Sequence, residues 1–487
     1  MRDKKISVDA QMVKEEMTNK ERESFWKGAL ALGPLDGRYH QVGEELAPYF
    51  SEYALVKNRV KVEVLWLKFL LDHLCGSEIV DNFDKKRIPE ILSIYEKFSK
   101  SSFLRVKKIE SVTNHDVKAV ELYVAKRLKE MGMEELVSYV HIGCTSEDIN
   151  NTAYALMITE GISKVWYPKA KQLKTSLHDL ALAYSDIPML AHTHGQPATP
   201  TTVGKEMEVF AYRMSQTLKN IDSINVRAKF NGATGNYSAI SVAFPHENWL
   251  SLAERFVQGC IGGFYDIQFN PVTTQIESHD YICHLLDGIR HFNNVLLDLD
   301  LDMWQYISME YFKQIPVKTE VGSSTMPHKV NPIRFENSEA NIDISNALLT
   351  ALSNKLARSR MQRDLSDSSS MRNVGLAIGY SLQSIEQTTA GLKKVEVNKE
   401  KLKEDLDHRW EVLAEPIQTM LRKYGVPDAY NKLKEMTRGK NISEEAIHEF
   451  IESLDMLSED DKATLLLLTP STYIGYASEI PYAGYTK

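Results

Sequence analysis

Residues 320–341 read EVGSSTMPHKVNPIRFENSEAN, a small and polar stretch between long apolar patterns. Gly322 and the three hydroxyl residues that follow it predict a flexible loop. Asn331 and Pro332 then predict a helix start, because Asn can cap free backbone N–H groups and Pro fits the first helical position. These N–H groups and the ammonium of Lys329 would favour an anion. Chemistry alone leaves a polar connecting loop before a capped helix as the alternative, since most such stretches are only loops.

This stretch closely resembles the signature of the fumarase/aspartase superfamily, whose members share a G-S-S-x-M-P-x-K-x-N-P core. His328 before Lys329 is similar to the adenylosuccinate lyase branch, whereas fumarases and aspartases usually carry Gly there and argininosuccinate lyases Gln. The resemblance covers nearly the whole chain beyond an N-terminal extension. Its other matching blocks are residues 33–39, 113–118, 141–151, 193–205, 358–372 and 407–420.

The composition predicts a multidomain globular protein rich in long helices. The 487 residues are 43% hydrophobic and 25% charged, and a typical domain takes roughly 100–200 residues. The 24 glycines and 16 prolines are few for this length, which favours long helices. The net charge of −8 gives no electrostatic reason to expect nucleic acid or a membrane as partner.

The cysteines and apolar runs bear on the compartment. Cys75, Cys144, Cys260 and Cys283 are widely spaced without a C-x-x-C pair, which predicts thiols in a reducing cytoplasm rather than disulfides or a zinc site. No run of about 18 apolar residues indicates a membrane span, and the charged N-terminal residues lack the apolar core of a signal peptide. We therefore expect a cytoplasmic protein.

Hydrophobic periodicity predicts helices at Phe50 to Leu74 and Phe335 to Leu356, among others. Two stripes at near-heptad spacing predict the seams of long, near-parallel helices. They are Met207, Phe210, Met214, Ile221, Ile224 and Ala228, and Leu285, Ile289, Phe292, Leu296, Leu299, Met303 and Tyr306. We expect an all-α fold with three helical domains and a central long-helix bundle. The boundaries are an extension at 1–26, an N-terminal domain at 27–135, the central bundle at 136–372 and a C-terminal domain at 373–487.

Several polar segments interrupt the helical patterns, and each has a structural explanation beside a functional one. Turns, helix caps and charged helix ends would explain them structurally. Anion binding would explain them functionally, because hydroxyls, free N–H groups and Arg suit carboxylates and phosphates.

Residues 191–200 are predicted to form a loop between two helices, in which His192 and His194 could suggest a metal site. No third ligand lies at a familiar spacing, so we expect no metal and no cofactor.

The resemblance implies the elimination of fumarate from a succinylated nucleotide, as adenylosuccinate lyases perform it. Ser323 would be the base, plausible only as an alkoxide stabilised by Lys329 and by closure of its loop. His194 would be the acid that protonates the departing nitrogen, and Glu336 would orient its ring. His115 and His141 would be further catalytic histidines in the same pocket.

The resemblance also implies the substrate-binding residues and the assembly. They are Arg38, Tyr39, Asn114, His115, Asp116, Thr145, Ser146, Thr193, Gln275, Ser324, Lys329, Val330, Asn331, Asn337, Arg363, Ser368 and Arg372. The sites of the family collect residues from three subunits, so we expect a homotetramer. Two alternatives remain: another lyase of the superfamily, which would have no use for the Arg clusters, or an inactive structural homologue, which could have lost Ser323 or His194.

Overall fold

The computed structural model describes residues 29–262, 266–316, 325–326, 328–429, 431, 433–434 and 442–486. These residues are mainly α-helical, which confirms the helical fold predicted from the sequence. The helices are α1 His40–Phe50, α2 Glu52–His73, α3 Glu78–Asp81, α4 Ile88–Glu96, α5 Lys100–Thr113, α6 Asp116–Glu130, α7 Ser146–Gly161, α8 Tyr167–Ala183, α9 Val203–Asp222, α10 Ser238–Ala243, α11 Trp249–Glu254, α12 Asp280–Ser308, α13 Ile333–Leu356, α14 Ser366–Met371, α15 Val374–Leu392, α16 Lys399–Asp407, α17 Ala414–Lys423, α18 Glu444–Glu452 and α19 Glu459–Leu466.

Short strands and single helical turns complete the described chain. The strands are β1 Pro188–Thr193, β2 Gln196–Thr202, β3 Arg227–Ala228, β4 Gln268–Phe269, β5 Phe312–Gln314 and β6 Val395–Val397. They form three two-stranded sheets, with β1–β2 and β5–β6 antiparallel and β3–β4 parallel. The 3₁₀ turns are Lys85–Arg87, Glu134–Tyr139, Trp410–Leu413 and Ile480–Tyr482, and π-helical turns lie at Ile162–Trp166 and Arg255–Ile261.

The described chain forms two compact units. The first unit consists of the described residues up to Ala170, Leu218–Asn293 and Ala340–Ser384. The second consists of Lys171–Thr217 and the described residues of Asn294–Glu339 and from Ile385 onward. The three-domain division at 27–135, 136–372 and 373–487 stays a prediction.

Helix α2 is the centre of the first unit. It begins at the cap residue Ser51, whose Oγ accepts from Ala54 N at 3.1 Å, and it packs against α4, α6 and α7. Its predicted apolar face is buried, as at Val64. Trp66 on the same helix lies 4.6 Å from Phe230 and 4.9 Å from Phe256, measured between ring centroids. This aromatic cluster fixes α2 against the segment after β3 and the π-helical turn Arg255–Ile261.

The stripes read from the sequence are largely core. On α12, all members from Leu285 to Met303 are buried and Tyr306 is half-buried, which confirms a helical seam. On α9, Met207, Phe210, Met214 and Ile221 are buried as well. The extension of the stripe that begins at Met207 as far as Ala228 is wrong, because α9 ends at Asp222 and Ala228 lies in β3. A buried residue on a short strand happens to continue the helical spacing.

A second apolar cluster lies in the C-terminal part of the second unit. It joins α17, α18 and α19 through buried aliphatic side chains. Its buried members are Leu413, Ile417, Leu421, Ala429, Leu433, Ile442, Ile447, Ile451, Leu454, Leu457 and Leu465. Among the helices of the described ranges, none has the length and apolarity to cross a membrane.

Candidate functional site

The predicted site residues fall in both units. Those of the first unit are Arg38, Tyr39, Asn114, His115, Asp116, His141, Thr145, Ser146, Gln275, Arg363, Ser368 and Arg372. Those of the second unit that the structure describes are Thr193, His194, Lys329, Val330, Asn331, Glu336 and Asn337. Ser323 and Ser324 lie outside the described residues.

His194 lies at the tip of a β-hairpin, so the predicted loop between two helices is wrong. Thr193 at the end of β1 pairs with Gln196 at the start of β2. His194 and Gly195 form the two-residue turn, with φ of 55° and 70°. Two positive φ values are the geometry of the hairpin turn that matches strand twist. The turn leaves the imidazole of His194 exposed at the end of a rigid ribbon.

The signature stretch leads into α13 one residue after Pro332, the start that the Asn331–Pro332 pair predicts, and two residues before Phe335, the start that the periodicity predicts. Helix α13 begins at Ile333, and the carbonyl of Pro332 accepts from Glu336 N at 3.4 Å. Lys329 is exposed, and its backbone N donates to Met326 O at 3.1 Å. Gln314 Nε2 donates to Val330 O at 2.7 Å, which ties the stretch to β5. The segment before the helix is thus anchored by its backbone, while the ammonium of Lys329 is presented outward.

The structure does not pair His194 with Glu336 within this chain. Trp304 Nε1 donates to Glu336 Oε1 at 3.2 Å, although His194 belongs to the same unit as Glu336. Within the described residues, the ring of His194 makes no hydrogen bond or ion pair. Asn331 and Asn337 on either side of the helix start are half-buried.

The segment before α6 combines a helix cap with an ion-pair cluster. Asn114 ends α5 at φ 50°, and His115 Nδ1 accepts from Lys118 N at 3.1 Å as the N-cap of α6. Asp116 Oδ2 lies 2.8 Å from Arg59 Nη2 and 3.1 Å from Arg372 Nη2. Burial alone would raise the pKa of Asp116, but the two guanidinium groups hold it below its ordinary value.

Two of the predicted phosphate-binding arginines, Arg363 and Arg372, already have carboxylate neighbours. Arg372 also pairs with Glu52, so two carboxylates balance its charge. Arg363 Nη2 lies 3.1 Å from Glu147 Oε1, and its Nη1 donates to Gln275 Oε1 at 3.3 Å. The structure therefore brings Arg363 and Gln275 together, as two predicted substrate-binding residues.

The remaining predicted nucleotide contacts lie near the surface. Arg38 is exposed and makes no ion pair within the described residues, and Tyr39 is half-buried at the start of α1. Ser368 is half-buried in α14, where its backbone N donates to Asp367 Oδ1 at 2.7 Å. Arg38 is thus the predicted phosphate contact whose charge no described carboxylate offsets.

The Thr145–Ser146 pair begins α7 with a capping box. Thr145, and not Ser146, is the N-cap, and its N donates to Asp148 Oδ2 at 2.8 Å. Asp148 is fully buried and lies 2.9 Å from Lys229 Nζ, which is fully buried too. Lys229 Nζ also donates to Gly232 O at 3.0 Å. Sequence reasoning missed Lys229, although the acidic residue three positions after Thr145 is a recognisable capping signal.

His141 is held by a residue that sequence reasoning also missed. Its Nδ1 lies 2.6 Å from Oε1 of the fully buried Glu63 on α2. Burial alone would lower the pKa of His141, but the hydrogen bond and charge of Glu63 raise it above its ordinary value. A glutamate inside an apolar helix face, VKVEVLWL, is the only sequence signal that points to Glu63.

Strained backbone coincides with the predicted site. Asn114, His141 and His194 have positive φ values of 50°, 62° and 55°. Such values are uncommon outside glycine and persist where the surroundings impose them. Their hydrogen bonds and hairpin pairing supply that constraint.

Comparisons with known proteins match almost the whole chain. A family model described as "Lyase" matches residues 37–342, and one described as "Adenylosuccinate lyase C-terminal" matches residues 359–474. The adenylosuccinate lyase of Escherichia coli K12 is 48% identical over 448 residues, covering 92% of this chain and 97% of that protein. The adenylosuccinate lyase of Vibrio cholerae serotype O1 is 46% identical, covering 92% and 98%. The crystal structure of a fumarate lyase from Mesorhizobium sp. BNC1 shares the fold, with a TM-score of 0.72, 17% identity, and coverage of 90% and 96%.

Proposed function

We propose that this chain, which belongs to the adenylosuccinate lyase family, eliminates fumarate from adenylosuccinate to give AMP. It also eliminates fumarate from the related imidazole nucleotide SAICAR to give AICAR. The chain is a carbon–nitrogen lyase. The observation that carries the proposal is that the two matched segments, 37–342 and 359–474, contain all the predicted site residues.

The elimination needs a base, an acid and a site for the developing negative charge. Ser323 takes the proton from the carbon beside a carboxylate, as an alkoxide stabilised by the ammonium of Lys329. His194 gives a proton to the departing nitrogen, because an imidazolium can act as a general acid. The N-terminus of α7, with Thr145 and Ser146, offers N–H and hydroxyl donors to a succinyl carboxylate.

The nucleotide part of the substrate is recognised by arginine and amide groups. Arg363 and Gln275 form one contact pair in the first unit, and exposed Arg38 supplies a charge without a carboxylate neighbour in the described chain. Arg372 exchanges one of its carboxylate partners for a phosphate oxygen. These side chains separate this substrate class from succinyl compounds that lack a phosphate.

We further propose a cytoplasmic homotetramer with shared active sites. His194 lacks an intrachain partner among the described residues, so Glu336 of another copy would orient it. An exposed apolar patch on α9 and α12 supports assembly: Val209, Tyr212, Leu301 and Trp304 are 38–44% exposed. The Arg213–Asp298 ion pair places these two helices side by side. All four cysteines are free thiols, which a reducing compartment preserves.

The activity test follows ultraviolet absorbance as purified protein meets adenylosuccinate. The wild-type protein is expected to release fumarate, and His194→Ala and Ser323→Ala are expected to lose at least about 100-fold in kcat. Each substrate of the superfamily serves as a comparison. Fumarate release from argininosuccinate, with none from adenylosuccinate, would overturn the proposal.

The shared site is tested by mixing the two inactive variants after mild dissociation. If one site takes His194 and Ser323 from different copies, hybrid tetramers regain part of the activity. Each variant mixed with itself is the control and stays inactive. Leu301→Glu is expected to weaken the tetramer in sedimentation, because a charge enters the apolar patch. Leu104→Glu, which changes a 56% exposed leucine of the first unit, is the matched control and leaves the assembly unchanged.

A further inference from the structure

One face of α2 holds three segments of the predicted site in place. Arg59 Nε donates to Asn150 Oδ1 at 2.8 Å, and its Nη2 reaches Asp116. Trp66 Nε1 donates to Ile142 O at 3.1 Å. Glu63 lies between these two residues on the same face, at positions i, i+4 and i+7.

A buried glutamate at position 63 lowers the stability of the fold. Its side chain is fully buried, and His141 Nδ1 is the hydrogen-bond partner of Oε1. Among the residues that the structure describes, its buried Oε2 has no hydrogen-bond partner. Packing alone would be served better by an apolar side chain of this size, because a buried, half-satisfied carboxyl is destabilising. Its contact with His141 is therefore the feature that distinguishes Glu63 from its apolar neighbours on α2.

The protonation of the pair fixes what His141 presents. Burial raises the pKa of the Glu63 carboxyl. Burial alone would lower the pKa of His141, but the hydrogen bond and charge of Glu63 raise it above its ordinary value. Together with the 2.6 Å contact between Nδ1 and Oε1, both shifts favour a proton shared by the pair. If this proton lies on His141, the ring is an imidazolium and Nε2 carries a hydrogen. If it lies on Glu63, the carboxyl donates to Nδ1 and the neutral ring carries its hydrogen on Nε2. Either way Nε2 is a donor.

The surroundings of His141 favour this arrangement. The charged groups that face it besides Glu63 are Glu121 on α6 and Asp148 on α7, and Lys229 neutralises Asp148. Within the described residues, Nε2 of His141 makes no hydrogen bond, and its side chain keeps 17% exposure. The free donor thus lies on the loop that leads to Thr145 and Ser146.

We propose that Glu63 is a positioning residue that shares one proton with His141 and thereby keeps Nε2 of His141 as a hydrogen-bond donor to an anionic group of the substrate. This inference rests on the proposed function for the identity of the substrate. The interaction between Glu63 and His141 itself belongs to the free protein. The two parts are therefore tested separately.

The first measurement is the pKa of His141 in the free protein, from exchange of its ring C2 hydrogen followed by mass spectrometry. Glu63→Gln keeps the shape and removes the shared proton, and we expect it to lower this pKa by at least about one unit. Glu121→Gln removes a nearby charge without a hydrogen bond to His141, and we expect a shift of less than about half a unit. An unchanged pKa in Glu63→Gln would overturn the proposal.

The second measurement is the pH profile of adenylosuccinate cleavage. Glu63→Gln is expected to raise KM about tenfold with kcat within about threefold, because the lost donor acts on bound substrate and transition state alike. Its fall in kcat/KM at alkaline pH begins at lower pH than in the wild type. A loss confined to kcat would overturn the assignment of His141 as an anion donor.

Two controls separate a failed inference from a failed fold or a failed function. Glu63→Asp keeps the charge, and the pKa of His141 in this variant is expected to stay above its value in Glu63→Gln. If Glu63→Gln does not fold, Glu63→Asp is compared with the wild type instead. Glu63→Asp is then expected to lower the pKa of His141 by less than about one unit. An equal pKa in a folded Glu63→Gln and Glu63→Asp counts against the proposal. If the wild type cleaves neither nucleotide, the proposed function fails while the pKa result still decides whether Glu63 controls His141.

Discussion

Lys229→Met is the substitution that most directly tests the buried ion pair behind the Thr145 loop. Lys229 and Asp148 are both fully buried, 2.9 Å apart. Asp148 also accepts from the backbone N–H groups of Thr145, Asn231 and Gly232, at 2.8–3.4 Å. The pair therefore joins the start of α7 to the segment after β3. Methionine keeps the length of the side chain but removes the charge.

The cost follows from what each substitution leaves behind. Removing one partner of a buried ion pair costs about 3–5 kcal/mol. Lys229→Met leaves Asp148 with its backbone donors, so we expect about 3 kcal/mol. Asp148→Asn leaves the ammonium with neutral oxygen acceptors, such as the carbonyl of Gly232, and also weakens the capping box, so we expect about 5 kcal/mol plus ~1 kcal/mol for the cap.

Hydrogen exchange of the amides in 231–235, followed by mass spectrometry, measures this local stability. A cost of about 3 kcal/mol corresponds to exchange roughly 100-fold faster. Lys68→Met is the matched control, because Lys68 pairs with Asp72 at 2.6 Å while both are about 30% exposed. It is expected to change exchange in α2 less than about fivefold. Equal effects of the two substitutions on their own segments would refute the reasoning.

Three further substitutions test other contacts. Burial, and then the charge of Asp298, raise the pKa of Asp302 to about 6, so the wild-type protein loses stability as pH rises from about 4 to 6. Asp302→Asn should therefore stabilise the protein above pH 6 and change nothing below about pH 4. Thermal melting at a series of pH values checks this. Glu415→Gln should speed amide exchange in β2 several-fold, because Glu415 accepts from Thr199 Oγ1 and Tyr473 Oη; unchanged exchange would contradict it. Glu52→Gln should lower the KM for adenylosuccinate about two- to fivefold, since Arg372 loses a competing carboxylate; steady-state kinetics would expose an unchanged or higher KM.

The parts of the fold that follow a simple periodicity could be predicted from the sequence. The stripe from Leu285 to Met303 is a buried seam of α12, and α13 ends at Leu356 as predicted. The hairpin that carries His194 could not be predicted in this way, because Pro and Gly in THGQPATP are typical of loops. Only the pairing of β1 with β2 distinguishes this hairpin from a loop, and strand pairing depends on tertiary context.

The same reasoning explains why the residues behind the candidate site were missed. A lysine or glutamate is normally solvated. The apolar run VKVEVLWL points to a buried Glu63, but no sequence pattern identifies its partner or places Lys229 in the interior. Their partners His141 and Asp148 lie 78 and 81 positions away in the chain. Contacts of this separation become visible only after α2 and α7 pack. The chemistry-bearing segments can be recognised by their resemblance to the family, whereas the charges that position them cannot be recognised from the sequence.

The positioning charges also account for how segments of the candidate site keep a strained geometry. His141 has a positive φ and begins a half-buried loop, in which Glu63 holds its ring, Trp66 holds the next carbonyl, and the cap at Thr145 ends the loop. Three hydrogen bonds to buried groups can offset a backbone strain of about 1–3 kcal/mol. The hairpin of His194 meets the same demand with strand pairing instead. A substitution at Glu63 should therefore loosen the 141–146 loop without disturbing the 188–202 hairpin, and amide exchange in these two segments distinguishes local positioning from a general loss of stability.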